Sequence, residues 1–382
     1  MSEENRIELL RKILKIASVN DKESQVANII QDFLGDQPNI TFKRVQYAPG
    51  RENLIIDVNA PTTQKRVLGF NGHMDVVDPG DTDLWTYPPF AAKITKSRIY
   101  GRGTSDMKAG VAAMVSALKE LLAEDFTFNG GLRLLLTVGE EIDNFGARQL
   151  ADLGYAKPLT ALIVGEPTNH TMWYAHKGII DFTATAYGKS AHGAMPQLGI
   201  NAIDHLFDFY AQAKKMMAPI LATTDPALGH TTFNVTLING GNQINSIPQA
   251  ARLRGNIRTV TAVSNQTIQA TLQQAAAVTN KLPKHKIDLS IDSSIDAIAS
   301  DAHSEIIEIA QAAARANDWP EVVTTGAPTT DASLFKSKCP NLPFVILGPG
   351  NNTAHQVDEY VTLEDFNKIT AIYKNIIQQY LS

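Results

Sequence analysis

Four short apolar runs, Asn53–Val58, Arg66–Phe70, Leu132–Val138 and Ala161–Val164, limit the folds open to this 382-residue chain more than any other feature. Each is rich in Leu, Ile and Val and lacks strict alternation, the pattern of strands buried on both faces of a largely parallel sheet. Helical patterns lie around and between them. Ile7, Leu10, Ile13, Leu14 and Ala17 recur at helical spacing, a second pattern spans Val26–Phe33, and a strong one runs Met107–Leu122 directly after Asp106. Alternating helices and buried strands predict an α/β domain.

The patterning changes after Trp173. Gly178–Tyr187, Thr232–Ile238 and Arg252–Arg258 alternate like half-exposed strands, with Lys286–Ile291 as a fourth candidate. Helical patterns at Asn201–Met217 and Ser264–Val278 separate them. The order strand, helix, strand, strand, helix, strand is that of a split, ferredoxin-like βαββαβ unit with its helices on one face. Buried patterns then resume, with a helix at Ala302–Asn317, a strand at Phe344–Leu347 and a helix from Leu363. The expected architecture is an α/β domain of residues 1–176 and 293–382 with a mainly parallel sheet. An inserted α+β domain of residues 177–292 interrupts it.

Composition narrows the function classes. The chain has 34 Lys+Arg against 39 Asp+Glu, a net charge of −5 and no basic run, which argues against a nucleic-acid partner. No stretch approaches the roughly 18 apolar residues needed to span a bilayer. The opening residues, MSEENRIELLRKI, mix charges among apolar positions and do not read as a signal peptide. Cys339 is the sole cysteine, which excludes an intrachain disulfide and a thiolate zinc cage and fits a reducing compartment. A cytoplasmic protein acting on a small molecule is expected, with no membrane partner.

Acidic residues and histidines stand directly after the buried runs, where ligands bind in open α/β sheets. His73 and Asp75 follow the second run in NGHMD, Glu140 and Glu141 follow the third, and Glu166 follows the fourth in GEP. Asp106, in GRGTSDMKAG, opens the long helix, and His355 ends the turn LGPGNNTAH. Singly, each signal is weak, because a His-x-Asp or a Glu-Glu pair is more often a solvated surface feature. The glycines of GRGTSDMKAG match neither a dinucleotide fingerprint nor a P-loop. Together, these side chains are oxygen and imidazole donors of the kind that bind divalent ions such as zinc. The charge arithmetic suits two ions, since Asp106, Glu141, Glu166 and a shared hydroxide neutralise two divalent cations. Each ion then has one histidine, one carboxylate of its own and a share of a bridging carboxylate. Glu140 is left over to accept a proton from water.

These motifs resemble those of the co-catalytic zinc hydrolases, which include aminoacylases, carboxypeptidases, acetylornithine deacetylases and succinyl-diaminopimelate desuccinylases. The matching segments are GHMDVV (Gly72–Val77), GRGTSDMKAG (Gly101–Gly110), TVGEE (Thr137–Glu141), GEPT (Gly165–Thr168), GKSAHGAMP (Gly188–Pro196) and AHQVDEYV (Ala354–Val361). They stand in the family's order over nearly the whole chain. The resemblance implies a zinc-exopeptidase-like catalytic domain with two divalent ions, zinc foremost and cobalt as the alternative. It implies that His73, Asp106 and Glu166 hold one ion, and Asp106, Glu141 and His355 the other. Asp75 is implied to hold the His73 ring, and Glu140 to act as general base and then as acid toward the leaving amine. The inserted domain is implied to be a lid that also pairs two subunits into a homodimer. His192 then enters the partner's site to stabilise the oxyanion. Asn245, Arg258 and Thr330 are implied to face the substrate, with Arg258 gripping its carboxylate.

The implied reaction removes a succinyl or acetyl group from the amino group of an amino acid. A succinyl-diaminopimelate desuccinylase of lysine biosynthesis heads the expectation, beside an acetylornithine-deacetylase-like deacylase. A dipeptidase or carboxypeptidase is the enzymatic alternative. The alternative from another class is a non-catalytic metal- or small-molecule-binding homologue, against which the intact Glu140 speaks. In one departure, Ala175-His176-Lys177-Gly178 stands where desuccinylases tend to have an arginine-rich entry to the lid.

Overall fold

Every residue of the strand Val67–His73 is buried, and the elements around it cover both of its faces. A computed structural model describes residues 2–59 and 65–382. One unit runs to Tyr174 and resumes over Ser300–Gly326 and Thr330–Ser382, while the other comprises Ala175–Ala299 with Ala327–Thr329.

In the first unit, Val67–His73 pairs in parallel with Gly131–Thr137 on one side and Ala161–Val164 on the other. Phe344–Ile346 extends the parallel run beside Ala161–Val164. Antiparallel strands flank this centre. Arg51–Val58 pairs with Gly131–Thr137 and forms a hairpin with Ile40–Ala48. The expected buried run at 53–58 is therefore real, but its direction is antiparallel. Burial on both faces carries no information about direction. The tight turn before Arg51, with Gly50 at φ +75°, sets it against the preceding strand Ile40–Ala48, and the pairing with Gly131–Thr137 sets it against the centre. The outer strand is half-buried, with Ile40 in the core and Phe42 packed against it, and polar residues between them break up any apolar run.

The helix Lys108–Ala123 is buried along most of its length and packs into the same core as Leu363–Leu381 and Glu3–Leu14. Its approach to the sheet depends on Gly110, where an added Cβ would lie 2.1 Å from the Gly165 carbonyl oxygen. That contact brings the helix start, with Asp106 just before it, to the strand end that carries Glu166.

The second unit is a four-stranded antiparallel sheet in the order Thr232–Gly240, Ala250–Thr259, Gly178–Tyr187, Ile287–Ile295. In chain order the strands and helices run βαββαβ, as the alternation implies. Helices Ala202–Ala222 and Asn265–Thr279 bury Leu206, Phe209, Ile268 and Leu272 with Ile180, Phe182 and Leu253 of the sheet. Both helices are capped from their own sequence, Asn201 accepting from the Ile203 N–H and Ser264 from the Thr267 N–H. Among the described residues, no helix is long and apolar enough to cross a membrane.

One buried amine ties this framework together. Lys108 is fully buried, and its Nζ donates to the carbonyl oxygens of Ile13 (3.1 Å) and Ile16 (2.8 Å) at the end of helix Glu3–Leu14. Burial pulls this amine down to about 7, and it adds a donor to carbonyls that also accept from the Ile16 and Ser18 N–H groups. Lys108→Met leaves both acceptors buried without this donor. The expected loss is about 1–3 kcal/mol, read as a lower urea midpoint with an unchanged slope. An unaltered midpoint excludes this role.

Candidate metal centre

The parallel strands and one helix start deliver five donors to one place in the first unit. His73 ends its strand, Glu141 follows Gly131–Thr137, and Glu166 follows Ala161–Val164. Asp106 precedes the helix Lys108–Ala123. His355 lies in the left-handed backbone region, at φ +64°, in the turn beyond Phe344–Ile346. Asp106 presents one oxygen to each histidine: Oδ1 is 3.0 Å from His73 Nε2 and Oδ2 is 3.3 Å from His355 Nε2. Glu166 lies 3.7 Å from His73 Nε2, and Glu141 3.0 Å from His355 Nε2. Two triads result, His73–Asp106–Glu166 and Asp106–Glu141–His355, each with its ligand atoms within 4.8 Å of one another.

Hydrogen bonding fixes which nitrogen of His73 is available. Nδ1 lies 3.0 Å from the main-chain oxygen of Asp75, which can only accept, so Nδ1 carries the proton. In the neutral ring, Nε2 therefore turns a lone pair toward two carboxylates. Acceptors facing acceptors in a buried site require a proton or a cation between them. The titration behaviour shows the same demand. Burial, followed by the Asp106 charge, pushes Glu141 up and Glu166 well up. Burial also raises Glu140 well above the ordinary carboxyl value, and the Glu141 charge adds to the rise. Hydrogen bonds that His355 donates to Asp106 and Glu141 hold its imidazole up at about 10. Burial opposes charge on His73, yet Glu166, Asp106 and Asp75 raise it well above the usual imidazole range. Oxygen and imidazole donors, three to each point and sharing one carboxylate, fit two divalent ions such as zinc with positions left open for substrate and water.

Residues 69–379 match the model of peptidase family M20/M25/M40. The chain belongs to this family. It is 35% identical, over all of its length and 99% of the relative's, to a probable succinyl-diaminopimelate desuccinylase of Staphylococcus epidermidis. It is 30% identical, over 98% of its length and 93% of the relative's, to a succinyl-diaminopimelate desuccinylase of Wolbachia pipientis. An M20 family metallo-carboxypeptidase from Sulfolobus solfataricus shares the fold, with a TM-score of 0.82 at 18% identity, covering 100% of this chain and 99% of that one. With the two triads, family membership makes the chain a zinc-dependent amidohydrolase.

In this M20 family chain, the Asp75 carboxylate stands 3.7 Å from His73 Nδ1, beyond hydrogen-bond distance, so the main chain of Asp75 holds the ring. The carboxylate itself accepts from the main-chain N–H groups of Glu140 (3.2 Å) and Glu141 (3.1 Å). It thereby pins the turn that carries both glutamates. The Glu140 side chain accepts from Asn144 Nδ2 at 3.2 Å, and the same amide donates to Asp331 at 3.0 Å. Asp331 is buried and also accepts from the Thr137 hydroxyl at 2.6 Å. Nothing beyond an ordinary polar residue marks Asn144 in the sequence, while Asp331 ends the segment Thr329-Thr330-Asp331 whose resemblance suggested a substrate-facing loop rather than this hydrogen bond.

Thr330 is buried in the first unit, and its hydroxyl accepts from the Ala332 N–H at 3.3 Å. The other three candidates lie on the second unit. His192 is exposed and pairs with Ser246 in a short antiparallel bridge, which sets it beside the exposed Asn245, whose carbonyl accepts from the Gly193 N–H. Arg258 is half-buried on the strand Ala250–Thr259, opposite Thr232 and Ile179.

The raised imidazoles make metal uptake a proton exchange. His355, held at about 10, keeps a second proton at pH 7 in the metal-free protein, so a cation bound between Asp106, Glu141 and His355 must displace it and loading releases protons. Affinity therefore rises as pH rises toward 10 and falls in acid. Calorimetry in buffers of differing ionisation enthalpy reads the proton count; zero release is incompatible with these ligands.

Proposed function

We propose that the chain hydrolyses the amide of an N-acylated amino acid, with N-succinyl-diaminopimelate as its substrate, in the cytoplasm and as a step of lysine biosynthesis. The observation that carries this reading is the full-length likeness to relatives named as succinyl-diaminopimelate desuccinylases. The Glu140 carboxylate beside the ligand cluster supports hydrolysis over mere binding. The sole cysteine supports the compartment.

When bound, two divalent ions supply Lewis acidity, which polarises a carbonyl and acidifies water. The chain's own residues do the rest. Glu140 takes a proton from the attacking water and passes it to the departing nitrogen, so that a neutral amine leaves. Asn144 orients the carboxylate, and Asp75 holds the main chain beneath it.

The second unit is read as the cover of the site and the surface that pairs two subunits. Its edge strand Thr232–Gly240 exposes Leu237 and Ile238, an arrangement that suits pairing with a second copy about a two-fold axis. Within such a dimer, His192 serves the partner's site as an oxyanion donor, while Asn245 and Arg258 meet the substrate. The guanidinium of Arg258 suits a carboxylate. A deacylase acting on acetylated amino acids is the second reading. It is favoured by the His176-Lys177-Gly178 entry, which lacks the arginines expected of a desuccinylase.

Steady-state rates with added zinc or cobalt on N-succinyl-diaminopimelate, N-acetylornithine and dipeptides separate these readings. The succinyl substrate is expected to have the highest kcat/KM; a higher value for N-acetylornithine selects the second reading, and for dipeptides a peptidase. Glu140→Gln keeps the side-chain shape but cannot accept a proton. Turnover is expected to fall about 10²–10⁴-fold with metal content unchanged. Loss of the metals in this variant reassigns Glu140 as a ligand.

A further inference from the structure

Glu359 lies four residues beyond His355 and is completely buried. Its Oε2 accepts from Arg102 Nη1 (2.6 Å) and the Gly103 N–H (3.1 Å). Its Oε1 accepts from the N–H groups of Ser105 (2.7 Å) and Asp106 (3.0 Å). Its main-chain oxygen accepts from the Gly101 N–H at 2.9 Å. The loop Gly101–Asp106 belongs to neither helix nor strand, so no ladder pairs these N–H groups. A single buried residue takes their place as acceptor.

The same residues tie the loop to the turn that carries His355. Arg102 donates onward to the carbonyl oxygens of Gln356 (3.2 Å) and His355 (3.4 Å). The Ser105 hydroxyl donates to the Asn351 carbonyl oxygen (2.9 Å) and accepts from the Asn351 N–H (2.8 Å). Asp106 and His355 sit at the two ends of this cross-brace, and their side chains meet at 3.3 Å.

We propose that Glu359 is a positioning residue of the metal centre: it sets the shared ligand Asp106 against His355 and thereby tunes the site formed by Asp106, Glu141 and His355. It touches none of the ligand side chains. Both of its oxygens must accept, because two donors point at each. Glutamine in its place turns an N–H₂ toward donors on one side and breaks two of the four side-chain bonds.

This inference rests on the two-ion centre, so the test begins with cobalt titration of the metal-free, otherwise intact protein, followed by visible absorption. Two cobalt ions are expected to bind to the unaltered protein; fewer than two overturns the centre itself, whatever the variants do. Glu359→Gln is expected to weaken one of the two binding steps about 10–100-fold, the usual effect of removing a partner that orients ligands, and to change the cobalt spectrum of that step. Glu120→Gln is the control for stability alone. It loses a buried partner of Arg6 at the far end of the helix that begins beside Asp106, and it should lower Tm without moving either cobalt step. Arg102→Lys supplies a second reading if Glu359→Gln does not fold: it keeps the charge but loses the fork that joins Glu359 to the His355 turn. It should weaken the same step. A folded Glu359→Gln that titrates like the unaltered protein overturns the role, even if its Tm falls. If that variant does not fold, an unchanged titration of Arg102→Lys does the same.

Discussion

Asp106, Glu141 and Glu166 converge with two imidazole nitrogens at the carboxyl ends of buried strands, and like charges at such spacing repel strongly where water cannot screen them. His73 cannot relieve the repulsion as a neutral ring, because its one N–H is spent on the Asp75 carbonyl. The surrounding carboxylates favour the charged imidazoles for the same reason, holding His355 at about 10 and raising His73 despite its burial. Divalent cations relieve the repulsion more completely, and the amide chemistry of the family depends on them.

Holding such a cluster requires a framework that does not relax. The parallel strands supply part of it, since their hydrogen-bond ladders fix where His73 and the turns bearing Glu141 and Glu166 begin. Close packing supplies more: the Gly110–Gly165 contact brings Asp106 beside Glu166, and any side chain at 110 would force the helix away. Buried polar groups supply the remainder. Asp75 anchors the glutamate turn, Glu359 the Asp106 loop, and Lys108 the end of the first helix. Each is an ionisable group whose hydrogen bonds go mainly to the backbone, and each would be costly to bury without them.

The two units divide the work. The first contains both triads, Glu140 and the residues that orient them. The second carries Arg258 on its four-stranded sheet, whose strand Thr232–Gly240 leaves one edge open, and His192 and Asn245 beside a separate short bridge. This division suits an amidohydrolase whose hydrolytic chemistry is common to a family while the acyl group it accepts differs among members.

Much of this was legible in the residues. Double-sided burial leaves long aliphatic runs, so the strands at 67–73, 131–137 and 161–164 announced themselves, and the βαββαβ order followed from the switch to alternation after Trp173. The metal donors were legible because ligand chemistry restricts them to few residue types at strand ends. The antiparallel direction of Arg51–Val58 was not, since an apolar run is the same read either way. The edge strand Ile40–Ala48 breaks its apolar residues with polar ones, so no continuous run marks it. The supporting residues were equally hidden. Asp75 looked like the partner of the His73 ring, but a main-chain oxygen took that place, and a main-chain contact leaves no trace in residue identity. Lys108 and Glu359 sit within the motifs GRGTSDMKAG and AHQVDEYV and Asp331 ends the segment Thr329-Thr330-Asp331, yet nothing in the sequence said what they would hold, and Asn144 read as an ordinary polar position. Only the fold, by burying each of them among backbone groups distant in the chain, decided that they would hold the site together. Sequence determined which atoms can bind the ions; tertiary structure determined what keeps those atoms in place, because burial and long-range hydrogen bonding are properties of the packed chain.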